Sequence, residues 1–192
     1  MAQYNPKHFL VILIFSFIFL NTINSQTRVA KANDDLIRKT CKTTKYTDLC
    51  ISSLKSDPTS SKSDLKGLAT IMVNVGILNA TDTYSYLSTQ LQNTTSDATM
   101  RKVLELCTLK YSYANDSLKS SMDDLLVENY DYASMHVTAA ADYPNGCRIA
   151  FKWYRSLAYP AQLKARENGL KRICGVVLGI FDQLFIVFGA HS

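Results

Sequence analysis

Between Asp97 and Asn129 apolar side chains recur at steps of four and three: Met100, Leu104, Cys107, Tyr111, Ala114, Leu118, Met122 and Leu125. A helix turns by about 100° per residue, so all eight fall on one face. Their spacing is that of helices packing side by side in a left-handed bundle. Lysine, serine, aspartate and asparagine fill the opposite face, and no glycine or proline interrupts the run. A cysteine inside the apolar stripe predicts a covalent tie to the helix it packs on.

The same reading supplies the partners. Val29 to Thr40 and Tyr46 to Lys55 read as two short helices folded back on each other, the second ended by Asp57-Pro58. Asp64 is a good N-cap for a long helix running to about Gln92, with Leu68, Ile71 or Met72, Val75, Leu78 and Tyr86 inward. Asn93-Thr94-Thr95-Ser96 turns the chain into the central helix, and Glu128-Asn129-Tyr130-Asp131 turns it out again. Tyr132 to Asp142 then places Ala133, Val137 and Ala140 inward, and Tyr143-Pro144-Asn145-Gly146 predicts a break before Cys147. Pro160 opens a last helix whose stripe is Leu163, Leu170, Ile173 or Cys174, Val177, Phe181, Leu184 and Phe188. No segment shows convincing period-two alternation. The expected fold is all-α: an up-down-up-down four-helix bundle over residues 26–192, with an N-terminal helical hairpin.

Residues 1–25 change the picture. Lys7 and His8 precede the unbroken apolar run Phe9 to Leu20, which ends in Asn21, Thr22 and the small residue Ser25. A basic start, a short apolar core and a small-residue exit predict a secretory signal peptide cut near Ser25; the run is short for a membrane span. The C-terminal Ala190-His191-Ser192 carries no retention signal, so export to the extracellular space is expected. In that oxidising compartment the five cysteines, Cys41, Cys50, Cys107, Cys147 and Cys174, invite pairing, and the odd number leaves one over. A local Cys41–Cys50 bridge would suit the polar turn they flank. Cys107 with Cys147 would then join two helices and leave Cys174 a thiol. The residues alone leave this pairing open.

Charge and motifs exclude more than they assign. The net charge of +5 comes from 21 basic residues scattered along the 192, without the dense stripe that nucleic-acid binding needs. Seven glycines form neither a dinucleotide loop nor a phosphate loop, and neither G-x-S-x-G nor H-E-x-x-H occurs. No catalytic residue, metal ligand or cofactor is therefore expected. His136 reads as a surface or half-buried helix residue, Asp123-Asp124 as a solvated face, Trp153 as core or rim, and Cys174 as a buried thiol. Three N-x-[ST] sequons offer glycan acceptors at Asn93, Asn115 and Asn79, with Asn93 favoured by its turn. The apolar run Ile173 to Ala190 could be a removable anchor signal, but Asp182-Gln183 and the helical period favour a core helix.

These features together resemble the plant invertase and pectin methylesterase inhibitor family over the whole mature chain. The likeness rests on the leader, Cys41-Lys42-Thr43-Thr44-Lys45-Tyr46-Thr47-Asp48-Leu49-Cys50, Asp64-Leu65-Lys66-Gly67-Leu68-Ala69 and Leu106-Cys107-Thr108-Leu109-Lys110-Tyr111. It continues through Asp131-Tyr132-Ala133-Ser134, Cys147 with Phe151, and the terminal apolar helix. The branch it resembles most is that of invertase inhibitors including pollen allergens. The resemblance implies a four-helix bundle with a helical hairpin, bridges Cys41–Cys50 and Cys107–Cys147, and a free Cys174. It implies no catalysis, but a one-to-one complex with a pectin methylesterase or an acid invertase. It places Tyr130, Asp131 and Tyr132 near the partner, where invertase inhibitors carry Pro-Lys-Phe. The acid in the lysine's place makes pectin methylesterase the expected target ahead of invertase. One tyrosine, Tyr132, could instead pack inward on Ala114 or Leu118. The contrasting expectation is a secreted bundle without inhibitory action, a storage or ligand-carrying protein.

Overall fold

Cys41 and Cys50 lie on two short helices, α1 (34–42) and α2 (Thr47–Ser56), and a disulfide between them closes the intervening turn. At the open end of this hairpin the Asp34 carboxylate accepts from both Lys55 of α2 and Arg38 of its own helix. The structure, a computed structural model, describes residues 34–94 and 96–188; the expected signal peptide lies outside them.

A 3₁₀ turn (Pro58–Lys62), capped by Asp57, delivers the chain to α3 (Leu65–Asn93). Asp64 caps α3 by accepting from the Gly67 N–H at 2.8 Å. Asp97 caps α4 (Ala98–Leu126) through the Thr99 and Met100 N–H groups, both at 2.9 Å. α5 (Tyr130–Trp153) and α6 (Ala161–Phe188) complete the bundle. α3 packs on α4, α4 on α5, α5 on α6, and α6 back on α3, an antiparallel ring. A disulfide between Cys107 and Cys147 joins α4 to α5, with Cα atoms 4.5 Å apart. The hairpin rests on α3 and α6. There Gly179 allows close approach: a Cβ would stand 3.2 Å from the Thr44 Cα, a backbone atom, and the hairpin would have to shift by a few tenths of an ångström to admit it.

The central stripe of α4 faces inward as its period predicts, with Met100 and Met122 half-buried at its two ends. Three expectations need correction. Leu78 is 60% exposed. The inward line of α3 instead runs Met72, Gly76, Ala80, Thr83 and Leu87, with small residues at its middle that let the neighbours close in. A Cβ on Gly76 would already stand 3.3 Å from Leu118 of α4 and 3.5 Å from Ile173 of α6.

Second, α5 does not end at Asp142 but runs through Pro144 and Gly146 to Trp153. Pro144 removes one N–H from the helix ladder, yet it is buried in the stripe Tyr130, Ala133, Val137, Ala140, Pro144, Cys147 and Phe151. That continuous burial, with the disulfide three residues on, outweighs the loss of one helical hydrogen bond. Third, α5 begins two residues earlier than expected, at Tyr130. In α6 both Ile173 and Cys174 are buried, so the choice between them dissolves. The side chain of Phe188 lies outside the description.

Candidate functional site

The turn between α4 and α5 is built from the end of one helix and the start of the next. The Asn129 N–H donates to Asp124 O at 2.9 Å and the Glu128 N–H to Leu125 O at 3.2 Å. This is the Schellman pattern, and it places Glu128 in the left-handed region at φ 64°. Lys66 of α3 braces the turn, donating to Leu126 O at 3.0 Å and pairing with Glu128 at 2.9 Å.

The structure separates the three residues expected at the partner. Tyr130 is the inward one, 7% exposed and set edge-on against Phe185 of α6 with ring centroids 6.0 Å apart. Burial pushes its phenol pKa up. Tyr132 is 57% exposed, so it is not the inward tyrosine of the pair. The inward role thus falls to the other tyrosine, because stepping back three from Ala133 reaches 130, not 132. Asp131 is exposed in the first turn of α5, where the helix N-terminus attracts a negative charge whatever lies outside.

Tyr132 opens a second stripe along α5 with Met135, Ile149 and Trp153, all exposed. Leu109 and Tyr113 on α4, Leu126 and Val127 at its end, and Tyr154 after α5 are exposed too. Nine of the thirteen large hydrophobic side chains exposed among the described residues therefore belong to α4, α5 and the residues just beyond them. Burial of that area against a partner is favourable, and aromatic residues lose little rotamer entropy in giving it. Trp153, expected in the core or at the rim, is 78% exposed.

The remaining candidates have structural places. Cys174 is a free, buried thiol whose pKa is pushed up to about 12 by burial, which disfavours the nucleophilic thiolate. His136 is half-buried on α5 with Nε2 3.5 Å from Asp124. Among the described residues no group of histidine, cysteine or acidic side chains could hold a metal. Asn93 is exposed at the end of α3, whereas Asn115 accepts a hydrogen bond from Thr81 at 3.1 Å. The Asn79 amide is turned toward Gly169 of α6, with its oxygen buried.

One cluster escaped the sequence reading. Glu167, 3% exposed, lies in α6 among the apolar residues Leu163 and Leu170. Its carboxylate accepts from Tyr159 at 2.9 Å and Lys171 at 2.7 Å, with Arg148 of α5 at 3.3 Å. Burial, then the Glu167 charge, raises the Tyr159 pKa and keeps that phenol a donor. The period of the stripe offered the signal, since position 167 falls midway between two inward leucines.

Residues 35–180 match the profile of the family described as Plant invertase/pectin methylesterase inhibitor. The chain is 51% identical over 174 residues to an Arabidopsis thaliana protein named Cell wall / vacuolar inhibitor of fructosidase 2, covering 90% of this chain and 97% of that one. It is 38% identical over 156 residues to Pectinesterase inhibitor 28 of Oryza sativa subsp. japonica, covering 78% and 69%. The crystal structure of mutant form A of a pectin methylesterase inhibitor from Arabidopsis superposes with a TM-score of 0.62 at 22% identity, covering 74% and 92%. At that identity the superposition speaks for the bundle fold.

Proposed function

The chain belongs to the plant invertase/pectin methylesterase inhibitor family, and we propose that it is a secreted inhibitor forming a one-to-one complex with a cell-wall carbohydrate-active enzyme. The exposed apolar concentration on α4 and α5 supports docking through that face, with Tyr132, Met135 and Val127 as anchors and Tyr130 holding the turn from within. Among targets a β-fructosidase comes first. The observation that carries this choice is the 51% identity, over nearly the full length of each chain, to an inhibitor named for fructosidase.

Pectin methylesterase stands as the second reading, favoured by the exposed acid Asp131 and by the 38% identical pectinesterase inhibitor. A basic esterase surface would attract Asp131, with an association rate falling as salt rises. Yet Asp131 already has a reason inside the molecule, the α5 N-terminus, so its sign alone does not choose the partner. The mature protein, residues 26–192, is titrated into a purified cell-wall β-fructosidase and a basic pectin methylesterase, reading residual activity and complex mass. Stoichiometric loss of fructosidase activity is expected. Inhibition of the esterase alone would reverse the order of targets, and inhibition of neither would end the inhibitor reading.

A further inference from the structure

The end of the bundle opposite the α4–α5 turn carries a second feature. Between residues 143 and 181 the chain has seven basic residues and one acid, a local charge of +6 that exceeds the +5 of the whole chain. The single acid is Glu167, buried and engaged by Arg148 and Lys171. Four of the seven cations, Arg148, Lys152, Arg155 and Lys164, line an open cavity of about 450 Å³ between the end of α5 and the start of α6. Phe151, Leu157 and Tyr159 supply its apolar wall. Lys152, Arg155 and Lys164 have no carboxylate within 4.0 Å among the described residues.

Local electrostatics do not explain all of them. Lys152 and Arg155 sit at the α5 C-terminus, whose carbonyl end welcomes cations. Lys164 sits in the opposite field, in the first turn of α6, where no acidic residue offsets the positive helix end. That placement is unfavourable in the free protein and becomes favourable once an anion is present. The required ligand carries negative charges and also a flat, weakly apolar face for the wall.

We infer that this cavity binds an acidic saccharide chain, a polyuronide whose ring C–H faces lie on Tyr159 and Leu157 while its carboxylates meet Lys152, Arg155 and Lys164. A uronide chain presents one carboxylate per ring, and the cavity lies within the volume range of small-ligand sites. Guanidinium and ammonium groups pair with carboxylates through charge-assisted hydrogen bonds. The site lies at the other end of α5 from Tyr132 and Met135, so an inhibitor held on an acidic polysaccharide would keep those two anchors free.

Titrating oligogalacturonides of defined length into the mature protein, without any enzyme present, tests this. Calorimetry gives the affinity, and the fluorescence of Trp153, the chain's single tryptophan and the neighbour of Lys152 in sequence, is a second readout. Saturable binding that weakens with salt is expected, with at least a tenfold loss in both Arg155→Glu/Lys164→Glu and the milder Arg155→Gln/Lys164→Gln. Equal binding of the fully methyl-esterified oligomer would overturn the inference, because no carboxylate would then be needed. So would wild-type affinity in both double variants, or inorganic phosphate binding as tightly as the oligomer. Because no enzyme takes part, these failures leave the inhibitor reading standing.

Discussion

At the residue scale the two tyrosines flanking Asp131 differ in surroundings, Tyr130 packed within the bundle and Tyr132 facing outward. Tyr130 buries its ring against Phe185, and removing a buried aromatic side chain costs about 3–5 kcal/mol. Tyr130→Ala is therefore expected to lower stability in chemical denaturation by about that amount. Tyr132→Ala should leave stability within about 0.5 kcal/mol, as exposed substitutions do. In the titration against the target enzyme, Tyr132→Ala should weaken inhibition tenfold or more, the loss of an interface anchor. A Tyr132→Ala variant inhibiting like the wild type would remove this turn from the docking surface. Asp131 illustrates a different lesson, since a charge that satisfies its own helix carries little information about a partner.

At the scale of elements, the α4–α5 connection is tight but locally strained. A non-glycine residue in the left-handed region costs roughly 1–2 kcal/mol, and Glu128 occupies the position where glycine is usual. Its ion pair with Lys66 is partly exposed and returns roughly 0–1 kcal/mol. Glu128→Gly is thus expected to raise stability by about 0.5–1 kcal/mol, measurable as a higher denaturation midpoint with an unchanged slope. A loss of stability would show that Lys66 contributes more to the turn than the backbone geometry takes away. α5 shows how much local grammar packing can override: Pro144 and Gly146 read as punctuation, while the stripe they sit in continues to Phe151.

At the scale of the whole molecule, weak acids held above their ordinary pKa by burial bear on the alkaline limit. Burial raises Tyr111 and Tyr159 above the ordinary phenol range and Cys174 to about 12, so the native state holds these protons more tightly than the unfolded chain. Their contribution to stability is fully present below the unfolded pKa values, about 8.5 for cysteine and 10 for tyrosine. It falls as pH rises through that range toward the folded values. Denaturation at pH 7 to 8 should therefore be insensitive to these groups, and stability should fall progressively above about pH 9. Cys174→Ala is expected to make the fall between pH 9 and 12 shallower by one proton. An unchanged slope would place the loss in other groups.

The division between sequence and tertiary structure follows from the range of the forces involved. Helical period, caps and turn residues act within a few positions, so the chain alone determined the bundle class, the Asp64 and Asp97 caps and the inward face of α4. The α5 stripe was equally present in the residues: stepping by three and four from Ala133 reaches Tyr130 in one direction, and Pro144, Cys147 and Phe151 in the other. Its first half, Ala133, Val137 and Ala140, was legible, while Pro144 and Gly146 carry the local signature of a turn and mask the rest; in α3 the inward line is marked by the small Gly76 and Ala80, because close packing there selects small residues. What no local pattern could supply was charge assembled across elements. Arg148, Lys152, Arg155 and Lys164 are spread over seventeen positions and read as scattered. They become one patch only because the α5–α6 connection folds the end of one helix onto the start of the next. Glu167 likewise reads as an ordinary surface residue until Tyr159, Lys171 and Arg148 converge on it and make its burial tolerable.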